Sequence, residues 1–210
     1  MPVNSLKLLS EILSQKFEIV RDTDPRCIEL EASGYTIVGE SWGARLRLNE
    51  NDDLGVCWQA IDVAKERGMD IQELEPKYAD ALLQLELANN SDYPYTPATS
   101  REVPTSEAIR ALWHPENRIF GAIREGVLVG AISTSHKDKI VELDFASILS
   151  HFRGIGVGKA LVASAIIAWE RLGIRIFATG GASINKASLG TVESLGFIVE
   201  ERWRSYQPLI

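Results

Sequence analysis

The segment His151-Phe152-Arg153-Gly154-Ile155-Gly156-Val157-Gly158-Lys159 places three alternating glycines between a strand-like run and a strongly apolar helical run. Lacking a Cβ, glycine opens backbone conformations closed to other residues and lets a ligand approach the main chain. The free N–H groups of a helix's first turn, aided by its dipole, then face an anion. Spacing excludes two common phosphate loops. With Gly158-Lys159 as its GK pair, a Walker A loop needs glycine where Arg153 stands and Ser or Thr where Ala160 stands. A Rossmann G-x-G-x-x-G begun at Gly154 ends on Lys159, and begun at Gly156 it ends on Leu161. A turn that merely permits tight packing is the structural alternative, but a helix start does not by itself need three glycines.

Upstream of the loop lie three strand-like segments, Ile119–Arg124, Val127–Ser133 and Ile140–Ile148. Glu125-Gly126 joins the first two as a hairpin, and the polar His136–Lys139 joins the last two. Before them come a strand over Asp70–Glu75, a helix opened by Pro76 and running to about Ala88, a polar aromatic loop, and a helix over Thr105–Trp113. Downstream, a helix from Val157 to Leu172 is stopped by Gly173. A strand over Ile174–Ala178, a helix over Asn185–Leu195 and a strand over Ile198–Tyr206 follow. The resulting order, β-α-α-β-β-β-α-β-α-β, indicates an α+β or α/β sheet of mixed direction.

The first third of the chain carries no chemical motif. Leu6, Leu8, Leu9, Ile12 and Leu13 form a helical stripe over 4–15, followed by β-like pieces at Phe17–Val20, Cys27–Leu30, Tyr35–Val38 and Arg45–Leu48. Asp53 to Arg67 reads as a helix stopped by Gly68. We therefore divide the chain into an N-terminal extension, 1–66, and a second unit, 67–210.

Composition narrows the function. Of 210 residues, 45% are hydrophobic and 24% charged, the balance of a soluble globular protein. The longest nearly unbroken apolar run, Ala160 to Trp169, is half of what a membrane span needs, and Met1 to Leu9 lacks the pattern of a signal peptide. The expectation is a cytoplasmic protein without a membrane partner. A net charge of −7 and no basic run argue against nucleic acid. Cys27 and Cys57 form no disulfide framework, and with His114, His136 and His151 they give no metal-ligand spacing, so no metal is expected.

Arg153-Gly154-Ile155-Gly156-Val157-Gly158 resembles the R/Q-x-x-G-x-G/A motif of the GCN5-related N-acetyltransferase (GNAT) superfamily. Ala146-Ser147-Ile148-Leu149-Ser150 resembles the strand that leads into that motif. Asn185-Lys186-Ala187-Ser188-Leu189 with Leu195-Gly196-Phe197 resembles the family's second motif. The resemblance covers roughly 69–210. It implies an α/β sandwich: a mixed, mostly antiparallel sheet flanked by helices, here with an N-terminal α/β extension. It further implies that acetyl-CoA is the co-substrate, its pyrophosphate cradled by Arg153, Gly154, Ile155, Gly156, Val157, Gly158 and Lys159. Ile148, Asn185 and Ser188 would complete the cofactor site. Such acetyltransferases often form homodimers.

Acyl transfer from a thioester to a primary amine needs a neutral amine, since such amines are mostly protonated at neutral pH. The resemblance implies a carboxylate base on the strand before the loop, where Glu142 is the first choice and Asp144 the second. By period two, Glu142, Asp144 and Ala146 share one face, and Val141, Leu143 and Phe145 the other. Both acids also fit a plain solvated face. A backbone N–H of the splayed strand would polarise the carbonyl. Where many members carry a tyrosine as acid for the leaving thiolate, this chain has Val192. Ser188, one helical turn earlier, is the substitute donor, with Tyr206 a weaker one. Asn90 to Pro97 would border the acceptor. Asp92, Tyr93 and Tyr95 there suit a cationic amine such as a polyamine, an aminoglycoside or a peptide, or else the tyrosines merely tuck against the preceding helix. The expected activity is acetyl transfer to an amine; a catalytically silent acyl-CoA sensor is the alternative.

Overall fold

The computed structural model describes residues 17–93, 96–99 and 103–209. The helix expected over 4–15 and the candidate residue Tyr95 lie outside them. Eight strands form one sheet: β1 (Glu18–Arg21), β2 (Tyr35–Arg47), β3 (Asp70–Glu73), β4 (Asn117–Arg124), β5 (Val127–Lys137), β6 (Ile140–Ile148), β7 (Ile176–Ala182) and β8 (Ile198–Pro208). Their spatial order is β1-β8-β2-β7-β6-β5-β4-β3. Every neighbouring pair is antiparallel except β6 and β7, which run parallel. Six helices accompany the sheet among the described residues: α1 (Arg26–Ala32), α2 (Gly55–Glu66), α3 (Ala79–Asn89), α4 (Ser106–Ala111), α5 (Val157–Glu170) and α6 (Lys186–Glu193). This is the mixed α/β architecture that the sequence leads one to expect.

Two cores sandwich the sheet. On one face α5, apolar on nearly every side, joins Cys57, Ala60, Ile61 and Ala64 of α2. These four recur at the i, i+3, i+4, i+7 spacing of a helical stripe, which sets α2 against α5. On the other face Leu82 and Leu85 of α3 and Ile109 of α4 cover Ile119, Leu128 and Ala131 of the sheet. Along β5, Ile132 points to the first core and Ala131 to the second, the alternation that a strand imposes; a bulge at Val129, between the pairs Ala122–Gly130 and Ile123–Leu128, then reverses the facing, so that Val129 also joins the first core and Leu128 the second. Its hairpin with β4 turns on Glu125 and Gly126, both with positive φ, as a two-residue turn of that hand requires.

Two details in the N-terminal third differ from the sequence reading. Cys27–Leu30 is helical, within α1, and its Cys27 packs with Val20 and Tyr206 in a small separate cluster. Tyr35–Val38 and Arg45–Leu48 are not two strands but the ends of β2. The glycines between them, Gly39 and Gly43, sit where the register of β2 against β8 shifts, at Ile37/Gly39 and at Gly43/Ala44. Such bulges accommodate glycine without ending a strand. β2 lies between β7 and β8, so residues before 67 share one sheet with those after it.

Candidate active site

β6 and β7 pair only at Ile140–Ile176, Val141–Phe177 and Glu142–Ala178. Beyond that point β7 stays with β2 up to Ala182, while β6 follows β5 up to Ile148. The two strands therefore fork. Glu142 stands at the apex, and Ile148, six residues on, stands at the mouth, about 20 Å away at the usual rise per residue. At the mouth Leu149 donates its N–H to the Val129 carbonyl on β5, at 2.9 Å. Alternation along β6 turns the N–H groups of Ala146 and Ile148 the other way, into the fork. The carbonyls of these two residues lie on that side as well: Ala146 accepts from the Tyr93 hydroxyl at 2.9 Å and Ile148 from Arg153 Nε at 2.8 Å.

A bulge within β6 corrects the period-two reading. Thr134 of β5 pairs with Leu143 and Ser133 with Phe145, leaving Asp144 as an extra residue. The facing of the strand reverses there. Val141 and Leu143 belong to the α5 core, but Phe145 packs into the α3 core. Phe145 does not share a face with Leu143, and Ala146 does not share one with Glu142. The two carboxylates still come together. Ser135 pairs with Glu142 across the ladder and donates its hydroxyl to Asp144 Oδ1 at 2.9 Å, so both acids lie on the α3 side of the fork. Crowding by protein raises the Asp144 carboxyl above its ordinary value; the Ser135 hydrogen bond opposes this and the Glu142 charge adds to it. Asp144 keeps part of its surface in solvent, so the desolvation is partial.

The glycine loop closes the mouth of the fork. A short 3-10 turn, Ser150–Phe152, leads into Arg153. Gly154 has φ +73° and Gly156, the N-cap of α5, φ +91°, a region that side chains strain to occupy. A Cβ on Gly154 would meet no atom within 4 Å. The loop is open to solvent there, and the first turn of α5, with Val157, Gly158 and Lys159, presents its N–H groups beside it. A pyrophosphate fits such a place by charge and donor type.

Arg153 itself is turned back toward the body of the protein. Besides Ile148, its Nη2 donates to Asn89 Oδ1 at 2.9 Å and to Asp92 Oδ2 at 2.6 Å. Asn89, buried at the end of α3, donates in turn to the buried Ser147 hydroxyl at 2.8 Å. Asp92 thus spends its charge on Arg153. Tyr93 remains at the lip of the fork. On the far side, Asn185 accepts from the Ser188 N–H at 3.1 Å and so caps α6. Val192 is buried in the α5 core. Tyr206 is remote from the fork: its hydroxyl donates to Glu31 at 2.7 Å, and burial pushes its pKa up to about 12. Ser135, Asn89, Ser147 and Arg67, which donates to the Ile155 carbonyl, belong to the site without having been singled out from the sequence. Only tertiary contacts reveal them.

The Acetyltransferase (GNAT) family model matches residues 82–197, more than half of the chain. The chain belongs to the GNAT acetyltransferase family. Solved structures share the fold. A GCN5-related N-acetyltransferase from Sphaerobacter thermophilus aligns over 97% of this chain and 63% of its own, with a TM-score of 0.71 and 14% identity. A tandem GNAT protein from the clavulanic acid biosynthesis pathway aligns over 97% and 67%, at 0.59 and 15%. A GNAT acetyltransferase from Streptococcus pneumoniae aligns over 68% and 99%, at 0.56 and 20%. The chain thus spans less than two thirds of the Sphaerobacter protein's length. No curated protein matches it in sequence. Among the described residues no three His, Cys, Asp or Glu side chains gather as a metal set, and no helix is long and apolar enough to cross a membrane.

Proposed function

We propose that the chain transfers the acetyl group of acetyl-CoA to a primary amine by direct attack. The observation that carries this reading is the fork between β6 and β7, with an open glycine loop at its mouth and two carboxylates near its apex. The loop N–H groups hold the pyrophosphate, and the extended arm lies along β6. The N–H groups of Ala146 and Ile148 are pre-aimed donors for its amides and thioester carbonyl, a kind of contact worth several kcal/mol where charge develops. Glu142, or Asp144 with Ser135 behind it, accepts the proton of the attacking ammonium. The neutral nitrogen then forms the C–N bond as the C–S bond breaks, and the surplus proton left on that nitrogen passes to solvent. Ser188, or solvent, protonates the leaving thiolate, whose thiol has a pKa near the ~8.5 of cysteine and leaves readily.

The charge around the fork supports a cationic acceptor. With Asp92 neutralised by Arg153, the anionic contact for it falls to Glu142 and Asp144, and the Tyr93 ring supplies a face. One observation favours a second reading: Val192 is buried in the core, so α6 brings no phenol to the fork. A silent acyl-CoA sensor would need none. Free-thiol release from acetyl-CoA across a panel of mono- and polyamines separates the two. Transfer predicts release with at least one cationic amine, and the sensor predicts none with any.

A further inference from the structure

Arg67 follows the last turn of α2, with Val63 one turn before it on the same face. Both lean on the glycine loop: a Cβ on Gly156 would stand 3.9 Å from Arg67 Nη1 and 3.9 Å from Val63 Cγ1. Arg67 Nη1 donates to the carbonyl of Ile155, the residue held between the two positive-φ glycines. A guanidinium carries five N–H donors in a planar fork, and this bond uses one of them. Among the described residues no carboxylate comes within ion-pair distance of Arg67, although Arg45, Arg118 and Arg153 each have one. Lys159, in the first turn of α5, has none either. In a chain of net charge −7, Arg67 thus brings a cation without an ion-pair partner among the described residues to the edge of the glycine loop.

We propose that Arg67 is a phosphate-binding residue of this loop. One N–H fixes the Ile155 carbonyl and with it the loop's shape, and the remaining donors grip the pyrophosphate of acetyl-CoA. This rests on the function proposed above and adds to it. The motif arginine, Arg153, is committed to Asp92, Asn89 and Ile148, and Arg67 adds side-chain charge at the phosphates from outside the family-matched segment 82–197. Part of the N-terminal third thereby belongs to the binding site. A guanidinium bound to a phosphate makes charge-assisted hydrogen bonds roughly twice as strong as neutral ones. A clip that only shapes the loop would contribute no charge.

Calorimetric titration of acetyl-CoA into wild type, Arg67→Ala and Arg67→Lys, each at low and at high salt, tests this. Arg67→Ala should weaken binding by about tenfold or more at low salt, and its Kd should depend less on ionic strength than that of wild type. Arg67→Lys should restore the salt dependence and part of the affinity. A matched thermal midpoint for the ligand-free variants shows that the fold is intact. Binding of Arg67→Ala within twofold of wild type, or weakened binding with an unchanged salt dependence, overturns the proposal. Wild type that takes up no acetyl-CoA instead overturns the function on which it rests.

Discussion

Leu143 and Phe145, two residues apart on one strand, lie on opposite faces of the sheet. The bulge at Asp144 causes this, and it falls two residues beyond the last pair that joins β6 to β7. Bulges bend a strand and sharpen its local twist. The same feature therefore bends β6 near the apex of the fork and gathers Glu142 and Asp144 around Ser135.

If Glu142 takes the acceptor's proton, Glu142→Gln should lower turnover by roughly 10²–10⁴-fold while acetyl-CoA affinity stays constant. The defect should shrink at high pH, where more of the amine is already neutral. Steady-state rates from pH 6 to 10 check this. Full activity in Glu142→Gln with loss in Asp144→Asn would exchange the two roles, and silence of both would remove the base.

Asp144 also makes a stability prediction. Its carboxyl is raised above the ordinary value of 3.8, so the folded state holds this proton more tightly than the unfolded chain. Ionisation at neutral pH then costs stability, a cost that disappears as pH falls below the unfolded value. Asp144→Asn should melt slightly higher than wild type at pH 7, and the two should converge near pH 3. A lower midpoint for Asp144→Asn at pH 7 would contradict the assigned environment.

Arg153→Ala should destabilise the protein more than Asp92→Asn. The Arg153–Asp92 pair is about two-fifths exposed on both sides and contributes at most about 1 kcal/mol. Removing the guanidinium also strips a partner from Asn89, which is 3% exposed, and an unsatisfied buried acceptor costs ~1–3 kcal/mol. Urea unfolding of the two variants distinguishes these sizes. Equal losses would mean that Asn89 finds another donor.

Much of this was legible in the sequence, for local reasons. Gly154 and Gly156 occupy positive φ because the chain must turn from β6 into α5, and that need is written in the residue type. Glu125-Gly126 likewise states its own turn. The bulge at Asp144 was hidden, because nothing in Leu143-Asp144-Phe145 departs from a plain alternating strand; only the pairing with Ser133 and Thr134 creates it. β2 was hidden for the opposite reason. Gly39 and Gly43 look like breaks, yet β8 holds the backbone extended through both, with β7 pairing on the other side at Gly43. Arg67 and Arg153 could not be assigned from type and spacing, since either arginine could have faced the loop or turned away from it.

On the proposed function, the glycine loop at the mouth of the fork holds acetyl-CoA. Isothermal titration of acetyl-CoA into the wild type and into Gly156→Val tests it most directly. At φ +91° valine is strained, and its side chain would crowd the loop beside Arg67 and Val63. Binding to wild type should be saturable and should be abolished in Gly156→Val. No heat with the wild type, or the same Kd in both proteins, would contradict it.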